Sequence, residues 1–152
     1  MNAAIGIRDV MAHDHKACDD EFALIEQALA AGDWGRTGAA IEAFCAAMER
    51  HLGVEEAVLF PAFEQATGIT MGPTRVMRME HAQLRGLFDE MRAAAAARDE
   101  PGLRGQAETL LIMMQQHNLK EENILYPMCD QHLAAHVGAL APQLAEAVRR
   151  AG

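Results

Sequence analysis

The chain repeats itself at a spacing of 66 residues, and the residues that repeat are ones that bind metals. His51-Leu52-Gly53-Val54-Glu55-Glu56-Ala57-Val58-Leu59-Phe60-Pro61 recurs as His117-Asn118-Leu119-Lys120-Glu121-Glu122-Asn123-Ile124-Leu125-Tyr126-Pro127, an offset of 117 − 51 = 66. His, both Glu, Leu and Pro are identical, and Val58/Ile124 and Phe60/Tyr126 are near matches. The same offset joins His15 to His81, Val10-Met11 to Val76-Met77, and Asp14 to Glu80. The chain reads as two copies of one unit. Each copy offers a lone His and then, 36 residues on (51 − 15 and 117 − 81), a His-x-x-x-Glu. A fold for this chain must bring two equivalent halves together around a two-fold pseudo-axis.

Breakers cut the chain into helical lengths. Gly32-Asp33-Trp34-Gly35, the stretch from Thr67-Gly68 to Gly72-Pro73, and Asp99-Glu100-Pro101-Gly102 separate patterns over about 8–31, 36–66, 74–98 and 102–131. Apolar residues such as Phe22, Ile25 and Leu29, or Leu84, Phe88 and Met91, fall at helical spacing. Hydrophobic residues make up 51% of the chain and aromatic ones only 5%, which favours helix over sheet. The expected fold is all-α: an up-down-up-down four-helix bundle over about 8–131, with a short C-terminal helix over about 133–150 that contains Pro142. The 152 residues are expected to form one domain. Pro61 and Pro127 remove a backbone donor and predict a kink a turn or two past each His-x-x-x-Glu.

Composition excludes some classes of partner. Twenty-two acidic against 13 basic residues give a net charge of −9, which disfavours nucleic acid and anionic membrane. No apolar run approaches the ~20 residues a membrane span needs. Cys18, Cys45 and Cys129 form no C-x-x-C and ignore the repeat, so reduced thiols and a cytoplasmic setting are expected. No signal peptide is evident at the N-terminus.

Residues four apart on a helix share a face. His51 with Glu55, and His117 with Glu121, can therefore address one point, while His15 and His81 add single imidazoles from the remaining helices. One such pair alone is an ordinary surface ion pair. Two in register, each with a partner His, are not explained that way, because mirrored buried His and Glu are costly without a cation. The candidate metal residues are His15, His51, Glu55, His81, His117 and Glu121. The natural division gives two His to each of two ions, with both Glu bridging. Ferritin-like di-iron proteins differ: they use Glu-x-x-His and more carboxylates. Fewer anionic ligands stabilise the ferric state less, which favours reversible redox or small-ligand binding over storage.

His15, His51-x-x-x-Glu55-Glu56-x-x-Leu59-Phe60-Pro61, Glu80-His81 and His117-x-x-x-Glu121-Glu122-x-x-Leu125-Tyr126-Pro127 together resemble the hemerythrin family, specifically bacterial hemerythrin-like HHE cation-binding domains. The resemblance covers residues 8–131. It implies two non-haem iron ions with an oxo or hydroxo bridge and two bridging carboxylates. Members bind dioxygen, sense oxygen, iron or nitric oxide, decompose peroxide, or repair iron–sulfur clusters. The oxygen carriers have a fifth His on the third helix; here Met77 and Arg85 flank His81 at four residues on either side. Simple oxygen carriage is therefore not the expectation, and Asp19, four after His15, is the nearest candidate for an extra donor. The expected partner is a small diatomic or peroxide ligand. An iron-handling or sensing module without turnover, cluster repair, and a peroxide-decomposing or nitric-oxide-reducing enzyme are alternatives that share this ligand set.

Other residues read more plainly. His13 lies about 200° round a helix from His15 and is expected to be exposed. His132 and His136 lie outside the repeat. Cys18 reads as a buried structural thiol, and Met11 and Met77 as the floor of the pocket. Glu56 and Glu122 can orient ligands or simply be solvated. Tyr126, in the position of Phe60, packs by default, with its hydroxyl within possible reach of the site.

Overall fold

The computed structural model describes residues 5–149, and among them the chain is all-α with no strand. The helices are α1 (Ile7–Ala30), α2 (Trp34–Val54), α3 (Phe60–Thr67), α4 (Pro73–Ala96), α5 (Glu100–Lys120), α6 (Tyr126–His132) and α7 (Val137–Val148). Single π-helical turns, Glu55–Leu59 and Glu121–Leu125, join α2 to α3 and α5 to α6 without a break. The result is five continuous helical rods. Each boundary from Ile7 to Val54 recurs 66 residues later, from Pro73 to Lys120. α1 packs along α2 and α4 along α5, while α7 lies against α1 and α2.

Local chemistry sets the ends. Asp33 and Asp99, also 66 apart, cap α2 and α5 by accepting the backbone N–H of Arg36 and of Gly102, each at 3.0 Å. A Cβ at Gly102 would lie 2.2 Å from the Asp99 carboxylate, which would have to shift to admit one; the matching cap at Asp33 carries Arg36 in that place. Asp130 of α6 reaches across to accept the N–H groups of Ile7 and Arg8 at 2.7 and 3.1 Å, satisfying the start of α1. The turn after α1 uses Gly32 at φ +70°, while the matching turn after α4 puts Arg98 at φ 51°. Both are left-handed, a conformation that costs a residue with a Cβ.

The helices depart from regular α geometry in the turns that lead up to Pro61 and Pro127. The distortion begins at the Glu residues themselves. Phe60 N–H bonds to Glu55 O, and Tyr126 N–H to Glu121 O, five residues back rather than four. A regular turn would drive each proline ring into the carbonyl four residues earlier, and widening the turn relieves that clash. Pro142 sits inside α7, which starts at Val137 rather than near residue 133.

The core has two apolar layers. In one, Phe22, Phe44 and Phe88 meet edge-on, with ring centroids 5.5 and 5.7 Å apart, among Met91, Leu110 and Met114. Burial of each such ring contributes roughly 1.5–3 kcal/mol. The other layer gathers Ile7, Met11, Phe60, Phe63, Met77, Leu140 and Leu144. Between Met11 and Cys18 on α1, and between Met77 and Leu84 on α4, the helices turn inward His15 and His81.

Candidate metal centre

Six polar side chains fill the space between the apolar layers. His15 comes from α1, His51 from α2, His81 from α4 and His117 from α5; Glu55 and Glu121 are the first residues of the two π turns. Glu55, His81 and Glu121 are 0% exposed and none of the six exceeds 4%. Their ligand atoms fall into two groups, each within 4.8 Å: Glu55, His81, His117 and Glu121, and His15, His51 and Glu121. The imidazoles pair in space, with centroids of His15 and His51 4.5 Å apart and of His81 and His117 5.0 Å apart.

Each carboxylate spans both pairs. Glu55 Oε1 lies 3.5 Å from His51 Nε2 and 3.2 Å from His81 Nε2. Glu121 Oε1 lies 3.0 Å from His15 Nε2 and 3.2 Å from His117 Nε2. Yet Glu55 Oε1, His81 Nε2, His117 Nε2 and Glu121 Oε2 are buried without a well-formed hydrogen bond. These atoms are close but do not point at one another as donor and acceptor. Buried polar atoms left in this way are rare unless something else satisfies them. Lone pairs converging on a common point are what a cation needs.

The outer nitrogen of every imidazole is held by its own carboxylate. Nδ1 lies 2.7 Å from Glu122 in His15, 2.7 Å from Asp14 in His51, 2.8 Å from Glu56 in His81 and 2.8 Å from Glu80 in His117. A carboxylate accepting Nδ1–H leaves the Nε2 lone pair facing inward and makes it more basic. Glu56 and Glu122 thus hold ligand-type His residues rather than standing free in solvent. Asp14 and Glu80 were not foreseen in this role, although the 66-residue offset joined them. The pairing is partly crossed: Asp14 and Glu80 hold a His of their own half, whereas Glu56 and Glu122 hold one in the other half.

Tyr126, expected to pack by default with its hydroxyl within possible reach, does bring that hydroxyl to the six residues. Its phenol is fully buried, and its hydroxyl lies 2.7 Å from Glu55 Oε2, 3.0 Å from Glu121 Oε1, and 3.2 and 3.3 Å from Nε2 of His15 and His51. Phe60, the matching residue, has no hydroxyl and stacks on His81 with centroids 5.5 Å apart. Asp19 does not approach the centre: it is exposed and belongs to neither group. His13, His132 and His136 are exposed as well. Cys18, Cys45 and Cys129 are free and buried, and burial pushes the thiols of Cys45 and Cys129 up to about 11 and about 12. They are inert packing groups.

With protons as the only counter-charge, the cluster holds them tightly. Burial works against a charged imidazole, but Glu55, Asp14 and Glu121 outweigh it and raise His51 to about 9. His117 is raised to about 9 against burial by Glu121, Glu55 and Glu80. Burial and the neighbouring Glu121 push Glu55 up. Burial acts on Glu121 too, but the neighbouring Glu55, His117 and His15 hold it well below the usual carboxylate range. Two buried carboxylates among imidazoles therefore demand positive charge from some source.

A family model for the hemerythrin HHE cation binding domain matches residues 6–129. The chain belongs to the hemerythrin family. Hemerythrin domains bind non-haem iron, and the buried His/Glu cluster fits such a site in donor type and in its unsatisfied inward-facing atoms. No curated protein and no solved structure matches this hemerythrin domain. Among the described residues, no helix is long and apolar enough to cross a membrane.

Proposed function

We propose that this domain holds two iron ions at a four-His, two-Glu centre and there binds or reacts with a small ligand: dioxygen, peroxide or nitric oxide. His15 and His51 serve one position, His81 and His117 the other, and Glu55 and Glu121 bridge. The observation that carries this reading is that each carboxylate reaches one imidazole of each pair. α1, the α2–α3 rod, α4 and the α5–α6 rod are then an up-down-up-down bundle with two-fold pseudo-symmetry, with α7 laid on it, in a single domain.

When bound, an iron pair supplies electron exchange with, or coordination of, the small ligand. The chain's own residues supply the rest. Four outer carboxylates fix the imidazole tautomers, the apolar layers exclude bulk water, and Tyr126 places one hydroxyl donor inside. Two imidazoles and shared carboxylates do not fill the coordination of either position, which leaves room for an exogenous ligand.

Metal analysis of anaerobically iron-loaded protein is expected to give about two irons per chain. One iron persisting at saturation removes the bridging arrangement. Azide, nitric oxide or peroxide is expected to change the optical spectrum of the oxidised protein; an unresponsive spectrum rejects the small-ligand role. Glu55→Ala and Glu121→Ala are expected to lose both metals, and His15→Ala or His81→Ala mainly one. A module that handles or senses iron without turnover is the second reading. It is favoured by the burial of all six residues in the core, which ties metal occupancy to folding. A colourless protein that stabilises only on adding iron selects it.

A further inference from the structure

Resting on that reading, we infer that the two metal positions are unequal, and that the His15/His51 position takes the first cation. The asymmetry lies in what lies behind the outer carboxylates. Glu56, which holds His81, is clamped by Arg85 through two hydrogen bonds of 2.8 and 2.9 Å. Glu80, which holds His117, is paired with Lys120. Both outer carboxylates of this position thus face a cation, although Arg85 is shared with Glu49 at 3.0 and 3.2 Å.

The other half has no such partners. Counting back 66 residues, Arg85 corresponds to Asp19 and Lys120 to Val54, so one cation becomes an anion and the other an apolar residue. Among the described residues, neither Asp14 nor Glu122 pairs with a lysine or arginine. Arg8 reaches the backbone carbonyl of Glu122, not its carboxylate. His13, Arg50 and Arg149 line a cavity of about 490 Å³ with Asp14, but none comes within ion-pair distance of it. Asp19, exposed one turn after His15, adds a further carboxylate within electrostatic reach of His15 and Glu122.

The consequence follows from charge. A carboxylate that keeps its full charge draws Nδ1–H more strongly and leaves Nε2 the better donor. Uncompensated anions also attract a cation through space, whereas clamped ones do not. Both effects favour the His15/His51 position. Arg85 and Lys120 act as positioning residues that weaken their own half. The difference expected between the two positions is about tenfold in affinity, given screening at the partly exposed carboxylates.

The test uses the apo full chain with 15N-labelled histidine, titrated with zinc alone, and follows the ring nitrogens by NMR. Nε2 of His15 and His51 is expected to shift during the first equivalent, and of His81 and His117 during the second. Asp19→Arg, which places a cation beside Glu122, and Arg85→Gln, which frees Glu56, are each expected to bring the two steps towards parity. Arg85→Lys is expected to keep the order. Parallel shifts of all four histidines, or His81 and His117 first, overturn the inference while leaving a paired site standing. Order that survives unchanged in both Asp19→Arg and Arg85→Gln overturns the charge argument. Saturation at one zinc removes the paired site, and the histidines it shifts still decide the inference: His15 and His51 support it, His81 and His117 overturn it. No shift at any of the four histidines overturns both.

Discussion

The hydroxyl of Tyr126 donates to Oε2 of Glu55 at 2.7 Å and so joins a residue of one half to the central carboxylate of the other. Phe60, its counterpart, offers His81 only a ring face. Tyr126→Phe would make the halves alike at this position. It leaves Glu55 Oε2 buried without its donor, so the apo protein is expected to lose about 1–3 kcal/mol in urea unfolding. The metal-loaded protein is expected to lose less, because a cation satisfies the same oxygen. Equal losses in both forms would mean that the hydroxyl serves packing alone.

The outer carboxylates predict a ranking of affinity without any change of ligand. Glu122→Gln and Asp14→Asn remove the groups that hold His15 and His51. Each is expected to lower metal affinity by about 10–100-fold. Competition with a chelator measures this directly. Wild-type affinity in both variants would show that the imidazoles are oriented by packing.

The protonated imidazoles give the apo protein a defined pH response. His51 and His117 are raised from 6.5 to about 9. A group raised on folding stabilises fully below its unfolded value and loses that stabilisation as pH rises through the folded one. Apo stability is therefore expected to fall between pH 6.5 and 9, by at least about 1 kcal/mol. The lowered Glu121 acts on the other side, with stabilisation that is lost as pH falls through the acid range. Metal displaces the imidazole protons, so the holo protein is expected to be flat across the alkaline window. Unfolding midpoints of both forms at pH 6.5, 8 and 9 check this.

Arg98 offers a test of the fold away from the centre. It adopts φ 51° where the matching turn uses Gly32 at φ +70°. Arg98→Gly removes the Cβ strain and is expected to stabilise by up to about 1 kcal/mol, net of the flexibility glycine adds to the unfolded chain. Thermal melts measure it, and metal stoichiometry is expected to stay unchanged.

The sequence made the all-helical class and the six inward residues legible because both rest on strict spacings. The four-residue step put His51 and Glu55 on one face, and the 66-residue step selected the same set again. What it concealed depended on contacts between distant segments. Asp14 lies 37 residues from the His51 it holds, and nothing local to either marks that bond. Tyr126 was legible as a packing ring whose hydroxyl was within reach, but not as a donor to Glu55, since Phe60 explains the position without the hydroxyl. Asp19 looked available because it lies one turn from His15, but a turn further along α1 the residue facing inward is Cys18, and Asp19 points to solvent. The π turns were read only as proline kinks, because sequence shows that a donor is missing but not which earlier turn yields.

The crossed hydrogen bonds mean that neither half of the chain could assemble the centre alone. A polypeptide ending near Gly68 would retain His15, His51 and Glu55 but lose Glu122, the acceptor behind His15, and Glu121, the second central carboxylate. Such a fragment could complete its set only by meeting another copy of itself, each lending Glu56 to the other's His15. Joining the halves through the turn at Gly68–Gly72 makes that encounter intramolecular, and it frees each half to change separately. Tyr126 against Phe60, and Arg85 against Asp19, are the kind of divergence that a symmetric pair of identical chains could not hold.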